Sequence, residues 1–357
     1  VSYYLILFFL TFYIISLDLP RTAQLKLCFI LFLLFSGLRF NSGYDYPIYY
    51  ELIKKDNYAW IEPFSKILMD IGRITDPIYF FTASSLITIF FYYRAFYNYC
   101  KDKEFSTIGI LSLISFPITL IDSLGFVRQF IAISIFVFVA STIERKKVYS
   151  ILLILLASLF HKAILITLPL VIFRSILFRH YNISLYILLW LAALVIGPIA
   201  LVYLVNTSGL YTDYITKHVS SNGYKIYALF SVVFFYFILN LSYLKENKKY
   251  IFLFNCFFIG LLFYSASLPF GLHASRISWG LLAVHPLIFG IILYNKEILE
   301  RSAFLLVCLT LLAASLYLSS QNQDRDFLNQ YRPVFLTDKY KRDWIINRSI
   351  QTEININ

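Results

Sequence analysis

The reading of this sequence turns on residues 124–169, LGFVRQFIAISIFVFVASTIERKKVYSILLILLASLFHKAILITLP. The stretch is an apolar run, a charged turn of Glu144, Arg145, Lys146 and Lys147, and a second apolar run. In lipid an apolar run closes its backbone hydrogen bonds as a helix. The pattern predicts a helical hairpin with its basic turn on the cytoplasmic side. Arg128 stands sixteen residues before the turn, about 24 Å of helix. His161 stands fourteen residues after it, about 21 Å. Two ionisable side chains on neighbouring helices therefore reach nearly the same depth, close to the outer face, with Gln129 and Lys162 beside them. An ionisable group at membrane depth is costly and points to function by default.

The rest of the chain has the same character. Of its 357 residues, 59 % are hydrophobic and 14 % charged, and the mean hydropathy is +0.71. A soluble domain carries about 25 % charged residues. The sequence therefore reads as an all-α, polytopic integral membrane protein with a single transmembrane domain over 1–357. The net charge of +11 is spread over turns and tail. No Lys/Arg block or aromatic-basic ribbon suggests a nucleic acid. Part of the charge is the positive-inside bias, and part suits anionic lipid-linked ligands. Cys28, Cys100, Cys256 and Cys308 have no paired spacing and read as buried small residues. The apolar start lacks the basic residues and cleavage site of a signal peptide and reads as a retained first span.

Taken in order, the apolar runs predict about twelve crossings (range 10–14) with both ends of the chain outside. The short inner turns then carry most of their Lys and Arg. Outer segments fall at 39–76 and 206–225, followed by a polar tail at 320–357. Within the first outer segment, 46–55 and 63–74 are amphipathic and are expected along the interface. Helix breaks are expected near Pro117, at His161 and Lys162, and at Gly197 and Pro198.

Polar constellations gather on the outer side. Arg39 and Asp45 sit among Tyr44, Tyr46, Tyr49 and Tyr50. Arg128 and Gln129 follow Asp122 and Gly125; His161 and Lys162 follow Phe160. His273 and Arg276 are three apart, on one face if a helix has begun. Each has a bland reading: belt tyrosines, a snorkelling arginine, a packed histidine. The matching depth of Arg128 and His161 favours function. Arg39, Arg128, Lys162 and Arg276 would supply cations, and guanidinium groups suit a diphosphate because each can make two parallel charge-assisted hydrogen bonds. Asp45, Asp122, His161 and His273 would be proton acceptors. No metal-ligand spacing, phosphate-cradling glycine loop or nucleophile elbow is present, and Asp324-Arg-Asp326 is a weak match to a metal-held diphosphate motif. Neither a metal nor a cofactor is expected.

At these residues the chain resembles the EpsG-like, Wzy-type O-antigen and polysaccharide polymerases of bacterial envelopes. The resemblance rests on Gly37-x-Arg39 followed by Gly43-x-Asp45 and Tyr49; on Val127-Arg128-Gln129 with Ile131 and Ala132; on Phe160-His161 followed by Pro169; and on Ser275-Arg276 entering a late span. Lys162 and Ala163 stand where that family often has a small polar residue. The resemblance implies a GT-C-like membrane glycosyltransferase in the bacterial cytoplasmic membrane, its site facing outward. The growing glycan on polyprenyl diphosphate would be transferred to a repeat unit on the same carrier. His161, Asp45 and Arg128 are the expected catalytic residues. Arg39, Arg128, Gln129, Lys162, His273 and Arg276 are expected to bind diphosphate or glycan. The expected partners are the lipid-linked donor and acceptor, the bilayer, a chain-length regulator and a flippase. A glycan ligase and a non-enzymatic transporter of the same lipid are the alternatives.

Overall fold

Apolar runs become helices here, and the breaks between them decide where polar groups gather. The computed structural model describes residues 2–101, 104–208, 223–271, 276–321, 331–336 and 346. It is 81 % helical, as the all-α reading requires. Helices of eight or more residues are numbered here in chain order. They are α1 (Ser2–Ser16), α2 (Arg21–Gly37), α3 (Tyr46–Lys54), α4 (Pro63–Ile74), α5 (Ile78–Lys101), α6 (Val127–Ser141) and α7 (Lys147–Ser158). There follow α8 (Ile183–Val195), α9 (Gly197–Ser208), α10 (Gly223–Leu239), α11 (Lys248–Ser267), α12 (His285–Tyr294) and α13 (Ile298–Gln321).

The centre is α6. Every residue of it is buried except Arg128. A helix apolar all round must be enclosed on all sides, and α5, α7 and the segment after α7 enclose it. α5 packs in turn against α2. A second group forms around α11, which contacts α8, α9, α10 and α12. α13 is largely exposed along its apolar length.

Among the described residues, three helices are long and apolar enough to cross a membrane: Lys248–Phe270, Arg276–Tyr294 and Ile298–Tyr317. The pair Ile183–Val195 and Gly197–Leu204, bent by 57° at the expected Gly197–Pro198 kink, adds a fourth if counted as one span. Unbroken spans among the described residues are thus fewer than the twelve crossings expected. The reason is local. Several apolar runs are cut into short helices, as at Thr107–Leu111 and Ser112–Ser115, which stop before Pro117. The expected amphipathic pieces form α3 and α4. Most of the outer segment at 206–225 and of the tail lies outside the described residues.

A clasp joins the segment after α2 to the segment after α13. Strand β1 (Arg39–Phe40) pairs antiparallel with β2 (Arg332–Pro333), with Arg39 opposite Pro333 and Phe40 opposite Arg332. The Val334 N–H donates to the Leu38 carbonyl at 2.7 Å. Tyr331 stacks on Phe35 with ring centroids 4.2 Å apart, and its hydroxyl donates to the Phe35 carbonyl at 2.7 Å. Between β1 and α3 the chain turns through Gly43 at φ +109°. A Cβ there would fall 1.9 Å from the Leu124 carbonyl oxygen, so only glycine lets this turn lie against the entry to α6.

Candidate active site

The site is built where three chain turns meet the start of α6. The first is the break after α7. That helix stops at Ser158, and His161 is extended at φ −160° and ψ 114° before a 3₁₀ turn at Lys162–Thr167. The break stands at the expected place, and α4 explains how it is tolerated. A helix end leaves carbonyls without intrahelical partners. The Phe64 N–H donates to Leu159 O at 3.0 Å, and Ser65 Oγ donates to Phe160 O at 3.0 Å. The start of α4 thus satisfies the end of α7.

That docking delivers Glu62, the residue preceding Pro63 of α4, to the site. One carboxylate oxygen, Oε2, takes Nη1 of Arg128 in a close ion pair. The other, Oε1, lies 3.3 Å from His161 Nδ1 and 3.5 Å from the Lys162 backbone N–H. Arg128 Nε also donates to the Tyr49 hydroxyl at 2.6 Å. Its guanidinium carbon lies 5.4 Å from the Tyr49 ring centre and 5.6 Å from that of Trp60. Burial pulls the Glu62 carboxyl up. The hydrogen bond from His161 and the charge of Arg128 together outweigh that and hold it down, at about 2. Glu62 is therefore ionised at any physiological pH.

The third turn carries Arg276, which opens the 3₁₀ turn Arg276–Ser278. Its guanidinium carbon sits 4.2 Å from the Phe126 ring centre. Gln129 Nε2 donates to the Arg276 carbonyl at 3.1 Å and so fixes this turn to α6. Between them opens a cleft lined by Gln129, Ile133, His161, Ala163, Arg276 and Gly280. Asp45, half-buried at the start of α3, makes no capping bond to that helix. Burial pushes its carboxyl up to about 6, against the charges of Arg276 and Arg128. Asp122 is similar. Burial raises it to about 6, while the Ile118 N–H at 2.5 Å and Arg276 pull the other way.

Of the residues expected from the sequence, His161, Arg128, Gln129, Lys162 and Arg276 come together here, and Asp45 lies within reach of two of the cations. Lys162 is exposed beside the break. Arg39 stands apart. It is 1 % exposed, and its donors go to the carbonyls of Ser36, Ser42 and Leu124 and to Ser85 Oγ. It braces α2, α5 and the entry to α6 instead of lining the cleft. His273 lies outside the described residues. Glu62 is the residue that the sequence pattern did not single out. Its one signal is an acidic residue before a proline that opens an amphipathic helix. Among the described residues no group of three His, Cys, Asp or Glu is placed to hold a metal ion.

These residues lie in one matched block. The family model described as the EpsG family matches residues 23–332, from α2 to β2. The chain belongs to the EpsG family. Curated proteins and solved structures give no match. Membership, with the apolar helices, makes this a polysaccharide-related membrane protein. The EpsG match takes in Asp45, Glu62, Arg128, His161 and Arg276, so every part of the cleft belongs to the family's own region.

Proposed function

We propose that this EpsG family member is a metal-independent, GT-C-type glycan polymerase of the bacterial cytoplasmic membrane. It transfers a growing glycan from polyprenyl diphosphate to the non-reducing end of a lipid-linked repeat unit on the outer face. The observation that carries this reading is the cleft in which Arg276, Gln129 and His161 share a wall, with Asp45 under the charges of Arg276 and Arg128. Arg276 and Lys162 hold the leaving diphosphate and offset its charge. The acceptor hydroxyl oxygen forms the new bond to the anomeric carbon as the bond to the diphosphate oxygen breaks. Its proton passes to His161, and polyprenyl diphosphate departs. Ionised Asp45 holds the acceptor hydroxyl in line. In this reading the short apolar helices complete about twelve crossings in one transmembrane domain, with a chain-length regulator and a flippase as partners.

A glycan profile of the host tests it, with the gene deleted, restored, and restored as Arg276→Ala. The polymer ladder is expected to collapse to a single repeat unit on deletion and to return only with the wild type. An intact ladder on deletion overturns the polymerase reading. Retention of lipid-linked units on the inner leaflet would point to transport instead.

Asp45 adds a pH dependence. Its carboxyl is raised to about 6, so the ionised form that accepts a hydrogen bond is lost as pH falls below that value. Polymer formation by the purified protein should fall about tenfold per unit on the acid side. Asp45→Asn should give low activity without that limb. An acid limb that persists in Asp45→Asn assigns the titration to another group.

A further inference from the structure

Glu62 holds His161 of the cleft and Arg128 behind it at once, and its two oxygens do different work. Oε2 is engaged by Arg128 and Oε1 faces His161 Nδ1 at 3.3 Å. A carboxylate held ionised has no hydrogen to donate. The hydrogen between Glu62 and His161 therefore sits on Nδ1. We propose that Glu62 is the positioning residue of this site: it takes the Nδ1 hydrogen of His161 and leaves Nε2 as the bare, proton-accepting nitrogen toward the cleft. This rests on the reading of His161 as the group that receives the acceptor proton.

Three features support it. His161 sits at the break in extended backbone, outside the helical stack, and lines the cleft. Its Nε2 has no hydrogen-bond partner among the described residues. Glu62 itself has little freedom. It is 10 % exposed, fixed by Arg128 on one side and by the Lys162 backbone N–H on the other, and it precedes Pro63 in a helix start docked on the break. The groups facing it are Arg128 and Tyr49 from α6 and α3, and His161 with the Lys162 amide from the break. Arg128 then acts mainly through Glu62: it keeps the carboxylate charged and in place. A neutral histidine has one donor and one acceptor nitrogen, and the bond made by one fixes the role of the other. A hydrogen-bond partner that fixes the tautomer also fixes the ring's orientation.

The test reads the tautomer directly and involves no glycan. The full-length protein, with 15N-labelled histidine, is purified in detergent. Long-range imidazole correlations are recorded at a pH high enough for the ring to be neutral, and the His161 signals are identified by their loss in His161→Gln. The wild type is expected to show the Nδ1–H form. Glu62→Gln, whose amide oxygen still accepts, should keep it, and Glu62→Ala should shift the ring to the Nε2–H form. A wild-type ring in the Nε2–H form overturns the proposal, whether or not Glu62→Ala folds. So does a folded Glu62→Ala with an unchanged ring. In the polymerisation assay, Glu62→Ala should lower kcat about a hundredfold with KM unchanged. If the ladder experiment fails while the tautomer is as expected, the polymerase reading falls and the positioning role stands.

Discussion

Arg128→Ala is expected to abolish polymer formation and, at the same time, to lower the amount of folded protein in the membrane. The two losses have different origins. Arg128 and Glu62 form a pair whose side chains are 13 % and 10 % exposed. Removing one partner of such a pair leaves the other charge buried, at a cost of about 3–5 kcal/mol. Whole-protein stabilities are about 5–15 kcal/mol, so the loss is visible in an immunoblot of the membrane fraction and in the thermal midpoint of the detergent-extracted protein. In the wild type the Glu62 contribution is fully present above its ordinary value of 4.5 and fades only as pH falls through about 2. The companion variant Arg128→Met with Glu62→Gln removes both charges. It should recover much of the protein level, with polymer formation above that of Arg128→Ala and below that of the wild type. Wild-type levels of Arg128→Ala would mean that Glu62 is held by other charges, and would sink this account of the pair.

His161→Ala should behave in the opposite way on stability and the same way on activity. Its side chain is 27 % exposed, and its loss leaves Glu62 paired with Arg128 and with the Lys162 amide. Protein levels should therefore stay near those of the wild type. Removal of a group that takes a proton in the transition state costs about 10²–10⁴ in rate. The measurement is turnover of a lipid-linked repeat unit by equal amounts of purified protein. A rate within tenfold of wild type would move the proton-accepting role to Asp45. Together the two variants separate the residue that reacts from the residue that holds its neighbour in place.

The breaks were the most legible part of the chain. Pro117, the His161–Lys162 pair and Gly197–Pro198 each interrupt an apolar run, and each interruption is present. The amphipathic spacing of α3 and α4 was equally plain, because a helical face shows as a local period. What could not be read was how the outer segment folds back. Arg39 and Asp45 are six residues apart, yet one is enclosed by the protein's own acceptors and the other feels the cleft's cations. That difference is set by Leu124 and Ser85, residues far along the chain. Glu62 was hidden for the same reason. Its partners lie 66 and 99 residues away, and no local pattern marks a carboxylate as the mate of a distant arginine. Apolar composition persists through 3₁₀ turns and short helices, so the sequence marks apolar runs without showing which of them form one unbroken helix.

The clasp between β1 and β2 imposes an arithmetic condition on the path of the chain. Two strands bonded edge to edge lie on the same side of a bilayer, so Arg39 and Pro333 share a side. Whatever lies between them crosses the membrane an even number of times. Twelve crossings with two completed before Arg39 leave ten between the strands and meet the condition; eleven or thirteen with the same start do not. A tag that reports its side of the membrane, placed once after Phe40 and once after Leu336, reads that parity directly. The two tags must agree, however many of the short helices turn out to cross.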